Sequence, residues 1–361
     1  MNSTNTQLLL RGLRCPSCFS ALRRNEDSLE CIGCGHHYPM LNQNGVLAIR
    51  LLADHVSAEK SRIQRFWGDI YQQWYSHNDQ SLQPEVLVKQ LKDLENLFQK
   101  RRHMAVVEMD LSSLSELEVC EIGCGAGGHS ALFRSHGAHM TSVDITQERV
   151  LSTAQKLSLL CDVPSGSGRA IQADAEALPF PDGTFDIVYS NGVLHHTEST
   201  DKSIKEVFRI LKPGGRAVIM LYARHSAYYW TQIVPAALLT GDIFRYSEAE
   251  WIGRRTEGKP SPGVNKNPIT RVYSGNQLRD LFQGFTNLEF RKDSFQLSQL
   301  FFPWSGYVRN LLMRIFFHKP HPGGLLVYGK PMFPENGFEL LLGPRLGFAW
   351  FIQANKPIIQ P

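Results

Sequence analysis

Four cysteines near the N-terminus are spaced for metal chemistry. Cys15-Pro-Ser-Cys18 and Cys31-Ile-Gly-Cys34 are two Cys-x-x-Cys knuckles separated by 12 residues. Each knuckle turns two thiolates toward one point. Four sulfurs complete a tetrahedral shell that suits Zn²⁺ and leaves no position for water. The pattern predicts a structural zinc site held by Cys15, Cys18, Cys31 and Cys34. The spacer is a little shorter than is usual for paired knuckles but long enough for a hairpin. His36 and His37 follow, and with four thiols available they read as surface or outer groups. A closed shell does no chemistry, so the expected role of this segment is docking, of substrate or of the catalytic domain.

A second constellation runs from Val119 to Ser130, Val-Cys-Glu-Ile-Gly-Cys-Gly-Ala-Gly-Gly-His-Ser. It lies between a strand-like and a helix-like run. Glycines let the backbone turn sharply and approach a ligand closely, and the N–H groups of a helix start favour an anionic group. Gly123, Gly125 and Gly128 satisfy the dinucleotide fingerprint G-x-G-x-x-G. Asp144, 21 residues after Gly123, ends the next strand-like run and could hold a ribose diol. On these residues alone, NAD and S-adenosylmethionine are both open.

Three further features separate them. Glu121 stands just before the turn, where it can meet an ammonium group. Ala173 to His196 reads Ala-Asp-Ala-Glu-Ala-Leu-Pro-Phe-Pro-Asp-Gly-Thr-Phe-Asp-Ile-Val-Tyr-Ser-Asn-Gly-Val-Leu-His-His, and Arg209-Ile-Leu-Lys-Pro-Gly-Gly-Arg216 precedes a fifth strand. Over residues 115–222 this order resembles the class I S-adenosylmethionine-dependent methyltransferases, especially the group that includes ubiquinone and menaquinone biosynthesis enzymes. The resemblance implies that Glu121, Gly123 and Gly125 cradle the methionine part of S-adenosylmethionine. It implies that Asp144 binds the ribose hydroxyls, that Asp174 and the Ala175 backbone face adenine, and that Asn191 lines the methionine end near the sulfonium. The N-terminal stretch, through Tyr38-Pro39 to Gly45-Val46, resembles short zinc-ribbon domains. The 23S rRNA guanine-N1 methyltransferases carry a comparable module.

The acceptor is less legible. Methyl transfer from a sulfonium needs alignment and, for some acceptors, a base. The fourth-strand motif, Ser190-Asn-Gly-Val-Leu-His-His196, is neither the Asn/Asp-Pro-Pro-Tyr motif of nucleobase amino methylation nor a Pro-Cys nucleophile. That disfavours RNA without excluding it. His195 or His196 could be a general base, although shaping the pocket is the favoured reading for both. Tyr222, Arg224 and His225 follow the fifth strand and are candidate substrate contacts, with Tyr222 a candidate catalytic group. Phe66, Trp67, Ile70, Tyr71 and Trp74 form a helical aromatic stripe that could pack on the sheet or close over the ligands. Residues 299–330 hold Arg309, Arg314, Lys319 and Lys330 and no acid, among Phe301, Phe302, Trp304, Tyr307, Phe316 and Phe317. Such a segment suits peripheral membrane contact or a lipid-like or anionic acceptor, or a buried cap with snorkelling basic ends.

The rest of the chain must position these groups. Its 361 residues are 42% hydrophobic and 20% charged, ordinary globular composition. The excess of 38 Lys+Arg over 34 Asp+Glu is only 4, too mild to predict nucleic-acid binding. No 18-residue apolar run offers a membrane span. The polar start, Met1 to Gln7, and the short Leu8-Leu9-Leu10 run do not read as a signal peptide. With an odd count of seven cysteines, including Cys120, Cys124 and Cys161, the chain reads as reduced and cytoplasmic.

Four regions are expected: a zinc-ribbon-like domain (1–50), a helical connector or lid (51–115), a cofactor-binding core (116–222), and substrate-cap insertions with the final strands (223–361). Strand-like runs at 117–122, 140–143, 169–173, 185–189 and 217–222 alternate with helical ones and predict an α/β, doubly wound, Rossmann-like sheet. The favoured expectation is a methyltransferase acting on a small or lipid-like metabolite. The rivals are an RNA methyltransferase docking RNA through the ribbon and the basic segment, a non-catalytic scaffold, and an NAD dehydrogenase.

Overall fold

The computed structural model describes residues 10, 12–25, 28–43, 45–52, 56–79, 82–160, 166–257, 266–300 and 305–358. Met1–Gln7, Leu8, Leu9, Cys161, Phe301, Phe302, Trp304 and most of the Gly258–Pro268 loop, all singled out above, lie outside the described residues.

The chain opens with β1 (Leu22–Arg24), β2 (Ser28–Cys31), β3 (His37–Gln43) and β4 (Val46–Leu51), paired antiparallel in succession. Two long helices follow, α1 (Ala58–Trp74) and α2 (Pro84–Arg101). Ser57 caps α1 by accepting from the Lys60 N–H. Pro84 opens α2 where a missing N–H costs nothing, and Leu87, Leu91, Leu94 and Phe98 bury one face.

The core alternates strand and helix: β5 (Glu118–Ile122), α3 (Gly128–Ser135), β6 (His139–Asp144), α4 (Gln147–Ser158), β7 (Gly168–Ala173), β8 (Phe185–Asn191), α5 (Thr200–Ile210) and β9 (Leu211–Ala223). Beyond it come α6 (Glu248–Thr256), β10 (Val272–Tyr273), β11 (Thr286–Asp293), α7 (Ser305–Phe317), α8 (Gly337–Leu346) and β12 (Ala349–Asn355), with shorter helical turns between.

The sheet order is β1-β2-β3-β4-β7-β6-β5-β8-β9-β12-β11, with the short β10 beside β9. Strands β5 to β9 are parallel, as the alternating pattern predicts. Both edges depart from it. β12 runs antiparallel to β9, and β11 antiparallel to β12. At the other edge β4 lies parallel to β7, with Leu51 opposite Ala173. The N-terminal cysteine segment is therefore joined to the central sheet. Its Leu13, Leu29 and Tyr38 belong to one apolar cluster with Phe180, Phe185 and Ile219. Strand order reverses direction between β5 and β8. Such a switch point opens a crevice at the carboxyl ends of the strands, and the Gly-rich turn after β5 sits there.

Candidate active site

The turn after β5 is shaped by its glycines. Gly123 has φ +76°, and a Cβ there would lie 2.2 Å from the Val193 side chain. Only glycine fits both the backbone angle and the close approach. The Gly123 and Cys124 N–H groups donate to the Val143 carbonyl at 2.7 and 2.9 Å, pinning the turn to the end of β6.

The turn borders a cavity of about 440 Å³, within the range of small-molecule sites. One side is made by Gly123, Gly125, Asp144, Asp174, Ala175 and Asn191, so six of the seven residues assigned above to the cofactor face one space. Both Asp144 oxygens are engaged, Oδ2 accepting from Gly125 N–H (3.1 Å) and Oδ1 from Thr146 N–H (2.9 Å). Each carboxylate oxygen can accept a second bond, so a diol can still be held. Asp174 Oδ1 accepts from Glu176 N–H at 2.9 Å, and its Oδ2 meets the Lys60 ammonium at 2.5 Å.

Glu121 is placed differently. It is 1% exposed, is not on the cavity wall, and accepts from the Ser130 hydroxyl. Burial, reinforced by the negative charge of Asp144, pushes its carboxyl up to about 8. His129 Nδ1 lies 3.6 Å away, and burial pulls that imidazole down to about 3. The pair is thus mostly uncharged near neutrality.

Aromatic residues line the same cavity, Trp67, Trp74, Tyr75, Tyr328 and Phe351, among the charged Lys60, Arg101, Arg149 and Glu257. The helical stripe of α1 divides between two jobs. Phe66, Ile70 and Tyr71 are buried, while Trp67, Ile70 and Trp74 line the cavity. α1 also brings Lys60, which bridges Asp174, Glu176 (3.2 Å) and Glu198 (3.7 Å). Burial opposes that charge, but Asp174 and Glu176 outweigh it and hold the ammonium above the usual lysine value. Arg101 of α2 makes a bidentate pair with Glu335 (2.7 and 2.8 Å) and donates to Tyr328 OH at 2.7 Å, fixing that ring in the wall.

Tyr222, at the carboxyl end of β9, and His196, in the turn after β8, both face the cavity. His195 does not: it has no exposed surface, and its ring lies tilted between those of His196 and Tyr222, with centroids 4.1 and 4.0 Å away. His196 Nδ1 lies 2.9 Å from the Ile269 carbonyl. That contact assigns the proton to Nδ1 and leaves Nε2 as a lone pair. Glu257 completes the group. Its Oε1 accepts from the Tyr222 hydroxyl and lies 3.8 Å from His196 Nε2. Burial and the Glu257 charge push the Tyr222 phenol well above its usual value, so it remains a donor. Arg224 is turned away onto Glu248 (2.7 and 2.8 Å), and neither it nor His225 lines the cavity.

Lys60, Arg101 and Glu257 escaped the sequence reading. Their partners lie far along the chain, and no local spacing marks them. Glu257, at the end of α6 beside a Gly/Pro-rich loop, carried the only available signal, a loop acid near aromatic residues.

Away from the cavity, the Sγ atoms of Cys15, Cys18, Cys31 and Cys34 all lie within 4.8 Å of one another. The Cys15–Cys34 and Cys18–Cys31 separations are 3.7 and 3.3 Å. Zn–S bonds of about 2.3 Å in a tetrahedron place sulfurs about 3.8 Å apart, so the donor set fits. Neither His36 nor His37 belongs to the cluster.

Comparison with known proteins places these observations. A family model described as a methyltransferase domain matches residues 120–219. Over 110 residues the chain is 34% identical to the ubiquinone/menaquinone biosynthesis C-methyltransferase UbiE of Pasteurella multocida, covering 30% of this chain and 40% of that protein. Over 97 residues it is 30% identical to the malonyl-[acyl-carrier protein] O-methyltransferase of Enterobacter lignolyticus, covering 27% and 36%. The alignments thus span 40% or less of those two relatives' own length. Among solved structures, phosphoethanolamine N-methyltransferase 2 of Haemonchus contortus, in complex with S-adenosyl-L-methionine, overlays with a TM-score of 0.45 at 16% identity, covering 86% of this chain and 63% of that one.

Proposed function

We propose, from the class I S-adenosylmethionine-dependent methyltransferase domain that this chain carries at residues 120–219, that the protein methylates a small or lipid-like metabolite. The supporting observation is one cavity lined both by the Gly-rich turn with Asp144 and Asp174 and by Trp67, Trp74, Tyr75, Tyr328 and Phe351. A cofactor held at the turn, Asp144 and Asp174 leaves the aromatic residues to contact an apolar acceptor. The two curated relatives named above are a C- and an O-methyltransferase, so their names do not choose the acceptor atom.

In this reading S-adenosylmethionine, when bound, supplies an electrophilic methyl group on a sulfonium. Asp144 accepts from the ribose hydroxyls. Asp174 and the Ala175 backbone face adenine, and Gly123, Gly125 and Asn191 border the methionine end. Glu121 acts behind the turn, through Ser130, rather than on the cofactor. Trp67, Trp74 and Tyr328 exclude water and align the acceptor. Glu257 takes the acceptor's proton, Tyr222 orients that carboxylate, and His196 shapes the wall beside it. The four cysteines hold a structural Zn²⁺ with no part in the transfer.

The test is to incubate the protein with methyl-labelled S-adenosylmethionine and total cell extract, then separate lipid, small-molecule, protein and RNA fractions. Label in the lipid or small-molecule fraction is expected. Label confined to RNA would overturn the acceptor class, and failure to bind the cofactor would overturn the whole reading.

A further inference from the structure

Helix α7 is inside out. Its buried positions are Ser305, Arg309 and Met313. Arg309 is 6% exposed, and its Nε donates to Glu339 Oε1 at 2.8 Å, a carboxylate with no exposed surface. Its Nη2 reaches the Pro334 carbonyl at 3.3 Å. The polar side chain is thus locked inward. Outward stand Tyr307 (74% exposed), Val308 (47%), Leu311 (62%), Ile315 (60%) and Phe316 (68%). Soluble proteins bury such a stripe and expose the arginine.

The apolar surface continues past the helix. Leu312, Phe316 and Phe317 share a cleft with Phe338 at the start of α8, and Leu341, one turn further along α8, is 72% exposed. The carboxylates beside it, Glu335 and Glu339, are buried and paired with Arg101 and Arg309, so the exposed charge is cationic. Residues 299–330 contain no Asp or Glu. Arg314, His318, Lys319 and Lys330 are exposed, and among the described residues no carboxylate pairs with them. The same segment then enters the active site: Leu326, Val327, Tyr328 and Lys330 line the cavity.

We propose that α7 with the start of α8 is the surface by which this protein docks on an anionic lipid bilayer, with the following segment, 317–330, running on to the cavity wall and the bilayer as the source of an apolar acceptor. An exposed apolar stripe whose exposed flanking charges are cations fits the boundary between anionic headgroups and acyl chains. It fits a second copy of the same surface poorly, because two such faces would bring like charges together. The proposal names the source of the acceptor for the methyltransferase reading and rests on it for that step alone.

The experiment is co-sedimentation of the full chain with vesicles of phosphatidylcholine alone or with about a third phosphatidylglycerol, with Leu311→Glu and Ile315→Glu as variants. Both positions are more than half exposed, so folding should survive. Melting temperature and S-adenosylmethionine binding are measured in parallel. The expected result is binding to the anionic vesicles only, weakened by 0.5 M salt and reduced by about tenfold or more in either variant, with melting and cofactor binding unchanged. Equal binding by the variants, no binding by the parent, or a dimer that Leu311→Glu dissociates without any vesicle binding would each overturn the proposal. Vesicle binding without cofactor binding would instead overturn the methyltransferase reading and leave the surface standing.

Discussion

The Tyr222 hydroxyl donates to Glu257 Oε1, the same oxygen that lies 3.8 Å from His196 Nε2. One acid is therefore shared by the end of β9 and the turn after β8, and all three side chains line the cavity. Glu257→Gln keeps an oxygen to accept from Tyr222 but cannot take a proton. If the acceptor loses a proton on methylation, single-turnover methyl transfer should fall by about 10²- to 10⁴-fold. S-adenosylmethionine affinity should stay within about twofold, because Glu257 is far from the Gly-rich turn in role and reaches no cofactor residue. Unchanged transfer in Glu257→Gln would remove it from the chemistry.

Asp144 does two things at once. It pins the Gly125 N–H and the Thr146 N–H, and it borders the cavity where a ribose would lie. Asp144→Ala should therefore lose both the ligand bonds and the shape of the turn. With two charge-assisted hydrogen bonds at about 1.5–3 kcal/mol each, a rise in Kd of at least about 100-fold is expected by calorimetry. Asp144→Asn keeps one acceptor oxygen and should fall between. An Asp144→Ala protein that binds S-adenosylmethionine normally would exclude this residue from the cofactor site.

What the sequence makes readable here is what local spacing controls. The glycines of 123–128, the strand runs from β5 to β9 and the apolar face of α2 are each set within about ten residues, by turn sterics and periodicity. Lys60 and Asp174 are 114 positions apart and meet only because α1 folds across the ends of β6 and β7. Glu257 and Tyr222 are 35 apart with unrelated elements between. The inward turn of Glu121 is equally hidden. Its position before the turn is legible, but which face of β5 it takes depends on Ser130 and Ser142 packing behind it. In α7 composition shows cations and aromatics, while only the buried Glu339 decides that Arg309 goes in beside Met313 and that Tyr307, Leu311 and Ile315 stand out.

The buried acid and the buried imidazoles give opposite pH slopes to stability. Glu121 is near 8 in the folded protein against an ordinary 4.5. As pH rises through that window the unfolded chain releases a proton that the folded one keeps, so stability falls. His129 is near 3 against 6.5, and burial also lowers His103, His195 and His196. As pH drops below 6.5 the unfolded chain binds protons that the folded one refuses, so stability falls there too. Urea midpoints should peak between about pH 6 and 7. Glu121→Gln should flatten the decline between pH 6.5 and 8 and steepen the rise between pH 4.5 and 6.5, where Glu121 opposes the imidazoles. A decline of the same steepness in both proteins would show that Glu121 ionises normally.

The cysteine cluster makes a different forecast, because its segment is part of the sheet. Cys15 and Cys31 are buried, and Leu13, Leu29 and Tyr38 pack into the cluster that holds Phe180 and Phe185. The Arg14 N–H donates to the Pro179 carbonyl at 2.9 Å. One Zn²⁺ per chain is expected by atomic absorption. Its removal with a chelator under reducing conditions should lower the melting temperature, because binding free energy at such a site is folding free energy. The effect on the cofactor should be smaller. β4 ends with Leu51 opposite Ala173, one residue before Asp174, while Gly123 and Asp144 belong to the ends of β5 and β6, further along the sheet. Loss of the metal should therefore raise the Kd for S-adenosylmethionine by only a few-fold, through Asp174, against about 100-fold for Asp144→Ala. Cys31→Ser should reproduce the metal-free protein. If chelation abolishes cofactor binding outright while the melting temperature holds, the cluster acts on the site directly and its structural assignment fails.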